Sequence, residues 1–95
     1  MADHVIVPVA DYERSKDFYA RALAPLGYVV LMDWRDKRRA YLGPPGRPSS
    51  LWLVEATSFE PVDVRLPAAL PQLLVDPDGN RVAIVPTDEA DLRAA

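Results

Sequence analysis

"HVIVPVADYERSKDFYARALAPLGYVV", residues 4–30, decides the fold class, because it passes from a strand pattern to a helix pattern and back within one uninterrupted run. Val5, Val7 and Val9 alternate with His4, Ile6 and Pro8, the period-two pattern of a strand. Both parities are largely apolar, so the strand reads as covered on both faces, with His4 sharing a face with Ile6. Asp11 then offers a carboxylate to the free amides of a first helical turn and favours the positive helix end. A helix is expected over 11–24. Phe18, Ala22 and Leu26 recur at four-residue spacing with Tyr19 and Leu23 beside them, while Arg14, Lys16, Asp17 and Arg21 take the wet side. Pro25 lacks an amide and Gly27 can reach left-handed angles, so the helix ends there.

Residues 28–34 read as a second strand, rich in Val, Leu and aromatics, and "RDK" turns into a third at 38–42. "GPPGRPSS", residues 43–50, is loop, since its prolines and glycines cannot sustain a ladder. Residues 51–55 form a fourth strand, with Leu51, Leu53 and Glu55 on one face and Trp52 and Val54 on the other. The order is βαβββ. Pro61, Pro67 and Pro71 then break the pattern, leaving 56–69 as an extended connection with one short strand at 62–66. Residues 71–75 and 81–85 form a hairpin around "DPDGN", where Pro77 pre-sets the turn and Gly79 supplies its exit. One α+β domain is expected over 1–95: a βαβββ module at 1–55, a connection at 56–69, a hairpin at 70–86, and a tail at 87–95 with one helical turn capped at Thr87.

A net charge of −3 argues against a nucleic-acid partner, which would draw on many Lys/Arg contacts to phosphate. A small neutral or metal-chelating ligand fits better. With no cysteine there is no disulfide frame, Cys-zinc site or thiol nucleophile, which suits a reducing compartment. The N-terminal run lacks the basic flank of a signal peptide, so the expected location is cytoplasmic. No apolar stretch approaches the roughly 20 residues that cross a bilayer, so no membrane association is expected.

The strand, acidic cap, Phe18–Tyr19 pair and Leu23-x-x-x-Gly27 exit resemble the opening module of the glyoxalase, bleomycin-resistance and extradiol-dioxygenase superfamily, the vicinal oxygen chelate fold. "VDPDGNRVAIV", residues 75–85, resembles the close of its second module. The resemblance implies two βαβββ modules whose curved sheets form a cup, with a divalent metal, where present, held on the inner face. Too little chain separates the two marks for a full second module, so a reduced one is expected. His4 and Glu55 match the first-module ligand positions, which implies that both point into the cup as metal ligands, with Glu55 as ligand or catalytic base. The second-module ligands are missing: no second histidine exists, and Ala83 stands where a glutamate is usual. Two ligands are too few for a catalytic transition metal, so a two-fold homodimer is expected to double the set. A reduced second module would also leave Ile6, Leu51 and Leu53 facing water until a second copy covers them.

Two functions stay open on this reading. The first is a metal-dependent lyase, isomerase or dioxygenase in which one divalent ion (iron, manganese, nickel or zinc) polarises vicinal substrate oxygens. The alternative is a metal-free binding protein for an aromatic, antibiotic-like molecule, or an inert scaffold. Trp34, Trp52, Tyr28 and Tyr41 could line such a pocket or simply fill the core. "WRDKRRAY" could grip an anion or form the solvated rim of a hairpin. "DPDG" lacks the further acidic ligands of a calcium loop, and no serine sits in a nucleophile motif.

Overall fold

Asp11 stops the first strand and starts the helix. In the computed structural model, which describes residues 4–46, 50–67 and 72–85, strand β1 covers His4–Val9 and helix α1 covers Tyr12–Ala22. Asp11 has extended backbone angles, and its Oδ1 accepts from the amides of Glu13 and Arg14 at 3.1 and 3.2 Å. Those two donors have no partner within the helix, so the carboxylate supplies one. The helix ends two residues before the pattern predicts, and Asp11 is its cap rather than its first residue. A 3₁₀ turn, Ala24–Leu26, follows with Pro25 inside it, and Gly27 closes it at φ 86°, a left-handed angle that favours glycine.

Strands β2 (Val29–Trp34), β3 (Arg39–Gly43) and β4 (Ser50–Glu55) complete a four-stranded sheet in the order β1-β4-β3-β2. β4 runs parallel to β1 and antiparallel to β3, which runs antiparallel to β2. The predicted βαβββ order is therefore observed. Beyond it lie β5 (Asp63–Pro67), β6 (Gln72–Val75) and β7 (Arg81–Val85), in a second sheet ordered β5-β7-β6. β5 is parallel to β7 and β6 antiparallel to it, so this sheet repeats the β1-β4-β3 pairing, and the described residues hold no counterparts of α1 and β2. No helix occurs among the described residues of 56–75. The expected tail turn at Thr87 lies outside the described residues.

One core serves both sheets. Val7, Val9, Leu42, Leu51 and Leu53 of the first sheet, Tyr12, Tyr19 and Leu23 of the helical segment, and Leu66, Val82 and Ile84 of the second sheet form a single buried cluster. Each large apolar side chain so buried contributes about 1.5–3 kcal/mol of transfer free energy. The buried stripe of α1 runs through Tyr12, Ser15 and Tyr19, one residue round from the predicted Phe18–Ala22–Leu26 line.

Two expectations about faces are corrected. Leu51 and Leu53 are fully buried rather than exposed, because the register pairs them with Val5 and Val7 on the helix side. β1 is covered on one face only: Ile6, on the other parity, is 57% exposed.

Candidate functional site

The face of the first sheet turned away from the core carries a continuous run of rings, one from each strand. His4 on β1 lies 4.9 Å from Trp52 on β4 at an interplanar angle of 42°. Trp52 stacks on Tyr41 of β3 at 4.2 Å and 19°, and Tyr41 meets Trp34 of β2 at 5.4 Å and 58°. Trp52 and Tyr41 are direct cross-strand partners; the outer two rings join along diagonals, which remain within reach of aromatic side chains. Ile6 and Met32 flank the run, both exposed.

A β-bulge makes this ladder possible. Val30 pairs with Leu42, but Met32 rather than Leu31 pairs with Tyr41, so one extra residue enters β2. A bulge of this kind reverses the parity beyond it. Trp34 is thereby carried to the ladder face, where it is 42% exposed, while Asp33 turns to the helix side and pairs with Lys16. Tyr28, which the sequence grouped with these aromatics, is core instead, 2% exposed, and burial pushes its hydroxyl up to about 12.

Glu55 sits on the other face. The register places His4 opposite Ser50 and Glu55 opposite Val9, so the two residues stand five positions apart along the paired strands. At about 3.3 Å per residue that is roughly 16 Å, and the odd offset puts them on opposite sheet faces. Glu55 Oε2 instead accepts from the Tyr12 amide at 3.0 Å, capping a third donor of the helix start. Arg38 grips the same carboxylate, Nε at 3.1 and 3.2 Å and Nη2 at 2.9 Å. Arg38, and secondarily the Tyr12 amide, holds the Glu55 carboxyl below the usual carboxylate range. Arg38 itself takes a left-handed backbone, φ 55°, and lays its guanidinium 4.7 Å from the centre of the Tyr12 ring.

The expectation that His4 and Glu55 both point into a cup is thus corrected. A shared ion needs donors that converge to about 2.0–2.2 Å bonds, and residues on opposite faces of one sheet cannot do this. Doubling the chain does not help, because the Glu55 face is the helix-covered one. Among the described residues, no group of three or more His, Asp or Glu side chains could hold a metal ion. The divalent metal implied by the resemblance does not fit these residues, and no step is assigned to one. Glu55, ion-paired and with its proton affinity lowered, is also poorly suited to act as a base.

The "DPDGN" turn is structural. Asp76 Oδ1 accepts from the amides of Asp78 and Asn80, and its Oδ2 accepts from the Tyr19 hydroxyl and Asn80 Nδ2, both at 2.8 Å. Asn80 also donates to the Pro8 carbonyl and accepts from the Val62 amide, each at 2.8 Å. Burial, followed by the bond to Asp76, raises the Tyr19 pKa further above its ordinary range. The turn therefore ties β1, α1 and the second sheet together at buried positions.

Comparison with known proteins places this architecture. No family model matches the sequence, and no curated protein matches it. Its likeness is to solved folds. An integron cassette protein from the mobile metagenome of the Halifax Harbour sewage outfall aligns with a TM-score of 0.69 and 16% identity, over 90% of this chain and 97% of that one. TnmS3, an antibiotic-binding protein from Streptomyces sp. CB03234, aligns at 0.64 and 22% over 88% and 93%. The oxidase ChaP-H2 aligns at 0.62 and 14% over 90% and 92%. All three are nearly the length of this chain, so two small sheets sharing one α+β fold recur in solved proteins of this size. The arrangement is consistent with a glyoxalase and bleomycin-resistance type of fold. In addition, no helix among the described residues is long and apolar enough to cross a membrane.

Sequence reasoning found three of the four ladder residues but cast His4 as a ligand. The signal for its actual place was parity: His4, Ile6 and Pro8 share a face, and the β1–β4 register puts Trp52 on that same face.

Proposed function

We propose that this chain binds a planar aromatic small molecule on the ladder of His4, Trp52, Tyr41 and Trp34, without metal held by His4 and Glu55. The observation that carries the reading is a run of rings, exposed at His4 and Trp34 and half-buried at Tyr41 and Trp52, across all four strands of a sheet whose other face is the core. Aromatic pairs contribute about 0.5–1.5 kcal/mol beyond the area they bury, so a flat ligand laid on this run gains at several rings at once. The fold likeness to an antibiotic-binding protein supports a small-molecule ligand.

One sheet face supplies one wall, whereas ligand sites generally bury about 70–90% of a ligand's surface. The proposal assigns the second wall to a second copy of the chain, related by a two-fold axis, which would also cover Ile6 and Met32. Equilibrium dialysis against 2-naphthalenemethanol tests the reading. Saturable uptake by the wild type that is lost in Trp52→Leu is expected; equal uptake by both proteins would overturn it.

A further inference from the structure

Most of the cations are neutralised. Arg14 pairs with Asp78, Lys16 with Asp33, Arg21 with Asp17, Arg35 with Glu13, Arg38 with Glu55 and Arg81 with Asp63. Among the described residues Lys37, Arg39 and Arg65 have no ion pair. Lys37 lies in the β2–β3 turn, and Arg65 lies on the second sheet. Arg39 stands on the ladder face: it is two residues from Tyr41 along β3, and its cross-strand partners are Trp34 and Val54. Among the described residues no Asp or Glu belongs to that face. Asp33 and Glu55 turn to the helix side, and Asp36, in the turn, makes no ion pair with Arg39.

We infer that the ligand of the ladder carries an anionic group beside its rings, and that Arg39 is the residue that recognises it. The inference rests on the aromatic-binding reading and specifies its ligand class. The chain as a whole carries −3, so its overall field repels an anion and attraction must come from a local cation. Arginine suits this place, since a planar guanidinium matches a carboxylate with two parallel bonds and can lie against an aromatic face. Two residues of strand span about 7 Å. A bicyclic ring laid on Tyr41 and Trp52 therefore brings a peripheral carboxylate within reach of the Arg39 side chain. An aromatic carboxylate explains both the ring ladder and the unpaired arginine, whereas a neutral aromatic explains the rings only.

The test uses two probes of nearly the same shape, 2-naphthoate and 2-naphthalenemethanol, titrated calorimetrically into the wild type, Arg39→Gln, Arg39→Lys and a control, Arg65→Gln. Circular dichroism and the urea midpoint establish that each variant is folded. The wild type is expected to bind the carboxylate about tenfold or more tightly than the alcohol, as a charged hydrogen-bonded contact implies. Arg39→Gln should remove that ratio by weakening the carboxylate far more than the alcohol. Arg39→Lys should keep part of it, and Arg65→Gln all of it. About 0.5 M salt should weaken carboxylate binding and leave the alcohol alone. If the wild type binds both probes equally, or Arg39→Gln keeps the ratio, the inference is overturned while the aromatic reading stands. If neither probe binds, the aromatic reading falls and the inference with it; a dimer with Trp34 and Trp52 sealed in its interface would then identify a second copy as the occupant.

Discussion

Tyr41 lies nearly flat on Trp52, ring centres 4.2 Å apart and planes 19° from parallel, on a sheet face that the protein's own core does not cover. The pair belongs to adjacent strands in direct register, so its geometry is fixed by the β3–β4 ladder and not by burial. Removing one ring should therefore affect binding far more than folding. Tyr41→Ala is expected to cost about 0.5–1.5 kcal/mol in a urea denaturation series, while uptake of a planar aromatic probe falls several-fold. A loss of stability like that of a core deletion would place the pair in the core instead.

Glu55 is a helix cap and turn pin in this account. Its carboxyl is held below the ordinary range, first by Arg38 and then by the Tyr12 amide. A depressed folded value means that its contribution is present above the ordinary carboxylate value and is lost as pH falls through the depressed one. Wild type should thus be more stable than Glu55→Gln at neutral pH, with the gap closing in acid. Thermal melts from neutral pH down to about 2 would show it; a gap that widens in acid contradicts the assignment.

His4 and Glu55 lie on opposite sheet faces, so they should respond to metal independently. Thermal melts of wild type, His4→Ala and Glu55→Ala with and without Zn²⁺ or Mn²⁺ should show no metal-dependent rise in Tm that both substitutions abolish. Such a rise would put the two residues in one site.

The Asn80 side chain serves three partners from a buried position, and Asn80→Ala would strand the Val62 amide and the Pro8 carbonyl and take one of two donors from Asp76 Oδ2. Each stranded group costs about 1–3 kcal/mol. The urea midpoint should fall by the equivalent of about 3 kcal/mol or more, and Tyr19→Phe, which releases one bond to Asp76, by less.

Ile6, Met32 and Trp34 are exposed together on the ladder side. Sedimentation equilibrium is expected to show a dimer, with an interface of about 1,000 Å² or more, and Ile6→Lys to shift it towards monomer. A monomer at every concentration tested would remove the second wall from the proposal.

Much of this fold was legible because its signals are local. Asp11 needs only the amides that follow it, and Gly27 and Gly79 sit where left-handed turns fall. The strand set followed from alternation and proline breaks. The site was harder, because it depends on register. Nothing in "YVVLMDW" marks the extra residue at Leu31, and without it Tyr28 and Trp34 share a parity and both read as one aromatic set. Glu55 looked like a ligand by position along the chain, but face depends on what it pairs with, and Val9 rather than a residue of the His4 parity lies opposite. The unpaired state of Arg39 could not be read at all, since it depends on where every carboxylate turns.

The most direct test of the ladder as a binding surface uses the two tryptophans of the chain, Trp34 and Trp52, both of which lie on it. Their indole N–H groups give two distinctive signals in a ¹⁵N–¹H correlation spectrum. Titration with 2-naphthoate should move both, together with the Arg39 and Tyr41 amides, and leave the amides of Tyr19 and Tyr28 in place. Stationary indole signals at saturating probe, or shifts confined to the core residues, would contradict the account.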